Sequence, residues 1–311
     1  MEINMLRSLI VASVLMLTSI SVFAEDLALN WKPEPEFGGF YEAAKLKAYD
    51  KAGIRINILP GGAGQPVTQM VAGKKVMFGI AAADEVILAR AQGAKVKAIF
   101  AVYQTDPQGF MVHPERKFKT LKDVFQHEGT VALQKGLPYT LWLEKKYGPF
   151  KAKIVPYTGG IASFIQDPQF SQQCFVTSEP LAARREKLNP QTFFISDSGF
   201  NPYIAVVIVH EDTLKTDPAM VKSFLEATRA GWAGYLAHPE GTNAIMQKLN
   251  PSMDLATFNE VAEVQKPLID TAATQKSGLG SMSAERWKTL YSQLVQLKLV
   301  KSGMKSSDFF Q

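Results

Sequence analysis

NWKPEPEFGGFYEAAKLKAY, residues 30–49, is the stretch whose reading decides the fold. A short apolar run at residues 27–29 enters a loop spaced by Pro33 and Pro35, and the loop enters an amphipathic helix. Open α/β sheets are built from such strand–loop–helix units, and their ligands bind beyond the carboxyl ends of strands, where helix N-termini leave N–H groups unpaired. The loop and the start of the helix carry Trp31, Glu34, Glu36, Phe37 and Tyr41, while Gly38 and Gly39 would let backbone approach a ligand closely. Capping of a core by Trp31 and Phe37 is the alternative reading of the same residues.

Toward the N-terminus the chain reads as an export signal. Arg7 lies in a short basic region, residues 9–20 are an apolar run, and Val22 and Ala24 give small-residue spacing before Glu25. Residues 1–24 are expected to be removed. The apolar run is short for a membrane span, and no later segment reaches about 18 uninterrupted apolar residues, so a soluble exported protein is expected. The single cysteine, Cys174, excludes an internal disulfide and a multi-cysteine metal site. A length of 311 residues with 46% apolar and 20% charged content allows two domains. The net charge is +5, but lysines such as Lys45, Lys47 and Lys51 are spaced as on a surface. No basic run is interleaved with aromatics, so nucleic acid is not an expected partner.

Toward the C-terminus strands and helices alternate. Residues 54–59 read as a strand, Pro60-Gly61-Gly62-Ala63-Gly64 as a turn, and 65–72 as a helix. That turn lacks the Gly-Lys-Ser/Thr ending of a phosphate loop, so it reads more simply as a strand-to-helix turn than as an anion site. A strand at 77–80 is followed by Ala81-Ala82-Ala83-Asp84-Glu85 and a helix at 86–92 that Gly93 stops. Asp84 and Glu85 sit at a helix start, where carboxylates cap N–H groups; ligand contact by one of them is the alternative. A strand at 96–103 turns through Gln104-Thr105-Asp106-Pro107 into an extended run at 109–112.

The alternation restarts with strands at 130–133, 154–156 and 174–177 and helices at 139–147, at 160–165 and from Ser178-Glu179-Pro180 to Lys187, and it closes at 193–196. Residues 198–203 lead into a buried-type strand at 204–209, and helices follow from Asp217 onward, the first running to Leu236. Such alternation implies mostly parallel sheets covered on both faces. Two sets of units joined by extended crossings near 109–113 and 202–209 imply two lobes with a cleft, and hinges able to absorb closure. The expected division places residues 25–112 and 204–311 in lobe 1 and residues 113–203 in lobe 2.

Catalytic signatures are missing. There is no Gly-x-Ser-x-Gly elbow and no Gly-x-Gly-x-x-Gly after a strand. His113, His127, His210 and His238 show no metal spacing and read as surface or loop residues. Binding without a metal or cofactor is the expectation.

The strings LNWKPEPEFGGFYEAAKLKAYDKAGI (29–54), VAGKKVMFGIAAADEVILARAQG (71–93), VYQTDPQGFMVHPE (102–115), CFVTSEPLAARREKLN (174–189), SGFNPYIAVVIVHED (198–212) and ATRAGWAGYLAHPE (227–240) carry a family likeness. They resemble the periplasmic solute-binding proteins of ABC importers, most of all the branch of thiamine-pyrimidine-precursor binders and the yeast pyrimidine synthase. The resemblance implies an α/β, type II-like, two-lobed monomer that captures a small molecule in the periplasm and delivers it to an inner-membrane permease. Its ligand residues map to Trp31, Phe37, Gly38 and Tyr41, to Ala83, Asp84 and Glu85, to Tyr103, Gln104 and Asp106, to Glu179, and to Asn201 and Tyr203.

Pyrimidine binders of this branch often have a histidine where this chain has Phe37, and the catalytic relatives carry a cysteine-rich iron motif that a single cysteine cannot reproduce. The expected ligand is a planar heteroaromatic, foremost a pyrimidine precursor of thiamine. It would be sandwiched by Trp31, Phe37, Tyr41, Tyr103 and Tyr203 and bonded through its amines to Asp84, Asp106 and Glu179. A flavin, a sulfonate- or nitrate-type anion, a sensor role and an enzyme acting on a pyrimidine are the alternatives.

Overall fold

The computed structural model describes residues 24–311. The expected export signal, all but its last residue, lies outside the described residues. The chain first lays down β1 (Ala24–Ala28), α1 (Gly38–Lys45), α2 (Ala48–Lys51), β2 (Arg55–Leu59), α3 (Val67–Ala72), β3 (Phe78–Ala81), α4 (Ala83–Ala91) and β4 (Val96–Tyr103). A second series follows: β5 (Gln108–Val112), α5 (Leu121–Gln126), β6 (Thr130–Leu133), α6 (Pro138–Tyr147), β7 (Lys153–Pro156), α7 (Ala162–Gln166), β8 (Phe170–Phe175), α8 (Glu179–Arg185) and β9 (Gln191–Phe194). The chain then returns through β10 (Ile204–His210), α9 (Thr213–Thr216), α10 (Pro218–Ala237), α11 (Glu240–Leu249), α12 (Leu255–Ile269), α13 (Ala272–Ser277) and α14 (Ala284–Gln296).

These strands form two five-stranded sheets on one plan. The first has the order β2-β1-β3-β10-β4 and the second β7-β6-β8-β5-β9. In the first, β1 runs parallel to β2 and β3, and β10 runs antiparallel to β3 and β4. In the second, β6 runs parallel to β7 and β8, and β5 runs antiparallel to β8 and β9. The antiparallel member of each sheet is therefore the strand that has just arrived from the other sheet.

This pairing relocates the crossings. The runs at 109–113 and 202–209 fall largely in β5 and β10, which are hydrogen-bonded on both sides, and the free links are residues 104–107 and 195–203. By sheet membership β5 belongs to the second lobe, so the division expected after Val112 falls instead at the turn before Gln108. Strand propensity marks an extended run but does not say which sheet receives it. The third strand of the second sheet was also placed too late: β8 begins at Phe170, because Ser171, Gln172 and Gln173 are polar yet buried.

The first sheet is packed on both faces. On one side Leu27, Phe78, Ile80 and Val207 meet Phe40, Phe224, Trp232 and Phe258 of the helices. Helix α10 begins with Asp217 accepting a hydrogen bond from Met220 N at 3.0 Å and with Pro218 in its first turn. Its residues Val221, Phe224, Thr228, Gly231, Trp232 and Tyr235 bury one helical face. Helix α1 meets that face at close range. A Cβ on Gly38 would stand 2.1 Å from the Tyr235 ring, and one on Gly39 2.2 Å from the Trp232 ring. The two glycines are thus required by helix packing, which corrects the expectation that they bring backbone to a ligand.

Candidate functional site

Loops leaving the carboxyl ends of β1, β3 and β4 face those leaving β6, β7 and β8 closely enough for their charges to act on one another. Burial raises the pKa of Glu34, with the Glu179 charge adding to it, and burial raises that of Tyr139, with the Asp106 charge adding to it. These loops are the two walls of the cleft between the lobes.

The wall of the first lobe begins with Trp31, which is 39% exposed and donates its indole N–H to Glu34 Oε1 at 3.2 Å. Its backbone is fixed from the next loop: Gly61 N donates to Trp31 O at 3.0 Å, and a Cβ at Gly61 would stand 2.0 Å from Leu29 O. Asn250 Nδ2 bonds Pro33 O at 3.2 Å and Glu34 Oε1 at 3.4 Å. Next comes a 3₁₀ turn, Pro35–Phe37. Gln265 Nε2 donates to Pro35 O at 2.9 Å, and Gln265 Oε1 accepts from Tyr103 OH at 2.6 Å.

This scaffold presents Glu36, whose carboxyl accepts no hydrogen bond among the described residues. Burial, with the Glu34 charge adding to it, pushes Glu36 up to about 8. Asp84, in the first turn of α4, is pushed up to about 7 by burial and by its neighbour Glu85, against the pull of the N–H groups of Asp84 and Glu85. Burial also pushes Asp106 up to about 7, although Gln108 N donates to it at 2.8 Å.

The wall of the second lobe is built differently. Glu179 accepts from Tyr157 OH at 2.6 Å and from Phe175 N at 2.8 Å. Gln173 Oε1 accepts from Tyr139 OH at 2.5 Å and from Gln134 N at 2.7 Å, and Gln173 Nε2 donates to Gln134 Oε1 at 3.2 Å. Burial raises the hydroxyls of Tyr139 and Tyr157, with nearby carboxylates adding to it, so both remain neutral donors.

The residues expected at the site divide clearly. Trp31, Asp84, Asp106 and Glu179 come together in the walls. Phe37, Tyr103 and Tyr203 are 0%, 1% and 3% exposed, so the five-ring sandwich is corrected to a single open ring, that of Trp31. The Phe37 ring fills the core beside α10, Tyr103 holds Gln265, and Tyr203 lies under the Arg286 guanidinium and accepts from Ser283 N. Tyr41 is nearly buried; its hydroxyl, like Asn30 Oδ1, has no hydrogen-bond partner among the described residues.

The remaining expected residues serve the frame. Ala83 is fully buried and bonds through its N–H to Tyr203 O, while Glu85 accepts from Ala82 N at 3.0 Å as a helix cap. Gln104 ties Ala101 O to Ser281 O, and Asn201 Oδ1 accepts from Asp106 N at 2.9 Å. One histidine is also corrected: His210 lies in strand β10 rather than on the surface or in a loop. His113 and His210 are each 6% exposed, and His113 stacks on Phe164 with Nε2 2.8 Å from Phe164 O.

Tyr139, Tyr157 and Gln173 were not among the expected site residues, and Glu36 was read as part of the opening loop without being mapped to the ligand. Tyr157 directly follows β7, and Gln134 directly follows β6. The rule that singled out the opening loop, applied to every parallel strand, would have found this side of the cleft.

Among the described residues no group of three or more His, Cys, Asp or Glu side chains is arranged to hold a metal ion, and no helix is long and apolar enough to cross a membrane. Cationic side chains are scarce in the walls. Lys32 is exposed beside Glu34, and Arg286 is committed to backbone carbonyls.

Comparison with known proteins agrees with this architecture. The riboflavin-binding protein RibY of Chloroflexus aurantiacus is 23% identical, over 84% of this chain and 77% of its own. The periplasmic aliphatic sulphonate binding protein SsuA of Escherichia coli superposes with a TM-score of 0.68 at 14% identity, covering 92% of this chain and 91% of its own. A Candida albicans protein described as having the generic periplasmic binding protein fold gives 0.64 at 11% identity, covering 93% and 96%. At such identities the likeness of the solved structures is one of fold, the two-lobed periplasmic binding protein. The profile of the NMT1/THI5-like proteins matches residues 34–242, well over half of the sequence, and the chain belongs to that family.

Proposed function

We propose that this protein is the solute-binding component of an ABC importer, exported to the periplasm, and that its cleft holds a small planar heteroaromatic rich in hydrogen-bond donors. A pyrimidine precursor of thiamine fits this description best. One observation carries the reading: Glu34, which holds the exposed Trp31 ring, feels the charge of Glu179 of the other lobe, and Glu36 beside it accepts no hydrogen bond among the described residues. An aminopyrimidine brings an exocyclic amine and ring nitrogens to the carboxyls, where charge-assisted bonds are strong, and a flat face to the indole. The unpartnered hydroxyl of Tyr41 is in a costly state that a bound polar group would relieve. A sulfonate or nitrate would face several acids and no uncommitted buried cation.

A flavin is the second reading. It is favoured by the relative named as riboflavin-binding, and an isoalloxazine offers a ring N–H and a flat face to the same groups. In either case the ligand passes unchanged to a permease, and the protein works as a monomeric receptor rather than an enzyme.

Native mass spectrometry of the protein purified from the periplasm, followed by denaturation and identification of the released molecule, tests the proposal. Release of an aminopyrimidine supports the first reading, and a flavin mass selects the second. Recovery of a sulfonate or nitrate alone overturns both.

A further inference from the structure

Among the described residues only 104–107 and 195–203 link the two sheets, and the Arg286 side chain binds both. Arg286, at the start of α14, donates through Nε to Asn201 O at 2.8 Å and through one terminal nitrogen to Pro202 O at 3.1 Å. Its other terminal nitrogen donates to Gln104 O. Gln104 belongs to the first link, Asn201 and Pro202 to the second. The guanidinium carbon lies 3.8 Å from the centroid of the Tyr203 ring, whose hydroxyl accepts from Ser283 N at 3.1 Å, and Ser283 is the cap of α14. Asp106 N, donating to Asn201 Oδ1 at 2.9 Å, joins the two links a second time.

A planar guanidinium has five N–H donors in a fixed fork, so it can satisfy three carbonyls from two chain segments only while those segments keep their spacing. An ammonium is a compact charge and imposes no such plane. We propose that Arg286 is the positioning residue of the hinge: by binding both links at once it restricts the lobe orientations from which the cleft closes on its ligand. A hinge of two unjoined links would absorb backbone rotation independently in each. A joined hinge gives up that freedom and keeps a larger fraction of the free protein near the orientation that binds.

The test needs no ligand, so its failure would be distinct from an error in the proposed cargo. Exposed Lys51 on α2 and Lys145 on α6 are replaced by spin-labelled cysteines (Lys51→Cys, Lys145→Cys). Cys174 is buried and stays unlabelled. Pulsed electron–electron resonance then gives the interlobe distance distribution with Arg286, with Arg286→Lys and with Arg286→Ala. The expected width at least doubles in Arg286→Lys and grows further in Arg286→Ala. A groove of about 270 Å³ lined by Asn201, Arg286 and Gln293 opens beside the clamp, so millimolar ethylguanidinium should enter and narrow the Arg286→Ala distribution. Equal widths in all three proteins overturn the proposal. So does broadening that ethylguanidinium leaves unchanged and that comes with loss of the native circular dichroism, since it would mark general loosening rather than a released hinge.

Discussion

The two walls of the cleft solve the same problem in opposite ways. In the second lobe Glu179 and Gln173 are already bonded to Tyr157, Tyr139, Gln134 and backbone, as a preorganised polar surface should be. In the first lobe Glu36 accepts no hydrogen bond among the described residues, and Glu36, Asp84 and Asp106 are held toward their neutral forms. One wall is finished without a ligand, and the other carries a polar cost that a ligand can remove. Replacing an acid should therefore have opposite effects on the two sides.

The largest expected effect is on Glu36. Its carboxyl is raised to about 8, far above the ordinary carboxylate range, so the stability of its neutral folded form is fully present below the unfolded pKa and is lost as pH rises through about 8. Asp84 and Asp106, at about 7, act in the same direction over a slightly lower range. The ligand-free protein should melt at a lower temperature at pH 9 than at pH 5. Glu36→Gln, which is always neutral, should raise stability at pH 9 by on the order of 2 kcal/mol and change it little at pH 5. Urea denaturation at the two pH values checks this, and an equal change at both would remove Glu36 from the account.

Glu179→Ala should do the reverse. It strands the Tyr157 hydroxyl and the Phe175 N–H, so a loss of roughly 1–3 kcal/mol is expected across pH 6–9, read from the same denaturation curves. A stabilised Glu179→Ala protein would erase the difference between the walls.

Trp31→Ala tests the shared edge. Because the ring is exposed, the melting temperature should hold while affinity for an aminopyrimidine, measured by calorimetric titration, falls about tenfold, the loss of a stacking contact worth about 1.5 kcal/mol. Unchanged affinity would remove stacking from the site.

The smallest effect belongs to Arg185 of α8, whose guanidinium meets Glu260 of α12 across the lobes at 2.9 Å. Both side chains are substantially exposed, and such pairs contribute roughly 0.2–1 kcal/mol. Arg185→Ala should speed ligand dissociation by no more than about fivefold. High salt should produce most of the same change in the unaltered protein.

The two-lobed α/β plan was legible in the sequence because its units repeat: short apolar strands, turns rich in Gly or Pro, capped helices. Of the two exchanged strands only β10 was legible, residues 204–209 having been placed in lobe 1. An extended run such as residues 109–112 carries no mark of the partner it will pair with, and β8 hid behind Ser171, Gln172 and Gln173, of which the two glutamines are buried with hydrogen bonds to Gly160, Gln134 and Tyr139. Asp84, Asp106 and Glu179 were read at turns and helix starts, where the structure has them, while the aromatics were misleading. Phe37, Tyr103 and Tyr203 look like ligand-stacking residues in a loop-rich sequence, but at the ends of buried strands and helices a ring is most readily spent on the core. Gly38 and Gly39 were read correctly as sites of close approach and assigned the wrong neighbour.

The position of β10 between β3 and β4 also affects how the chain comes into being. Both of its neighbours are made about 100 residues earlier, and every strand of the second sheet is made in between. Until residue 210 is available, the first sheet has a gap between β3 and its edge strand β4 and two unpaired strand edges facing it. Its closure depends on contacts far apart in sequence, which are intrinsically slow to form. For the exported receptor proposed above this delay is useful: the half that emerges first cannot complete itself until the other half has followed.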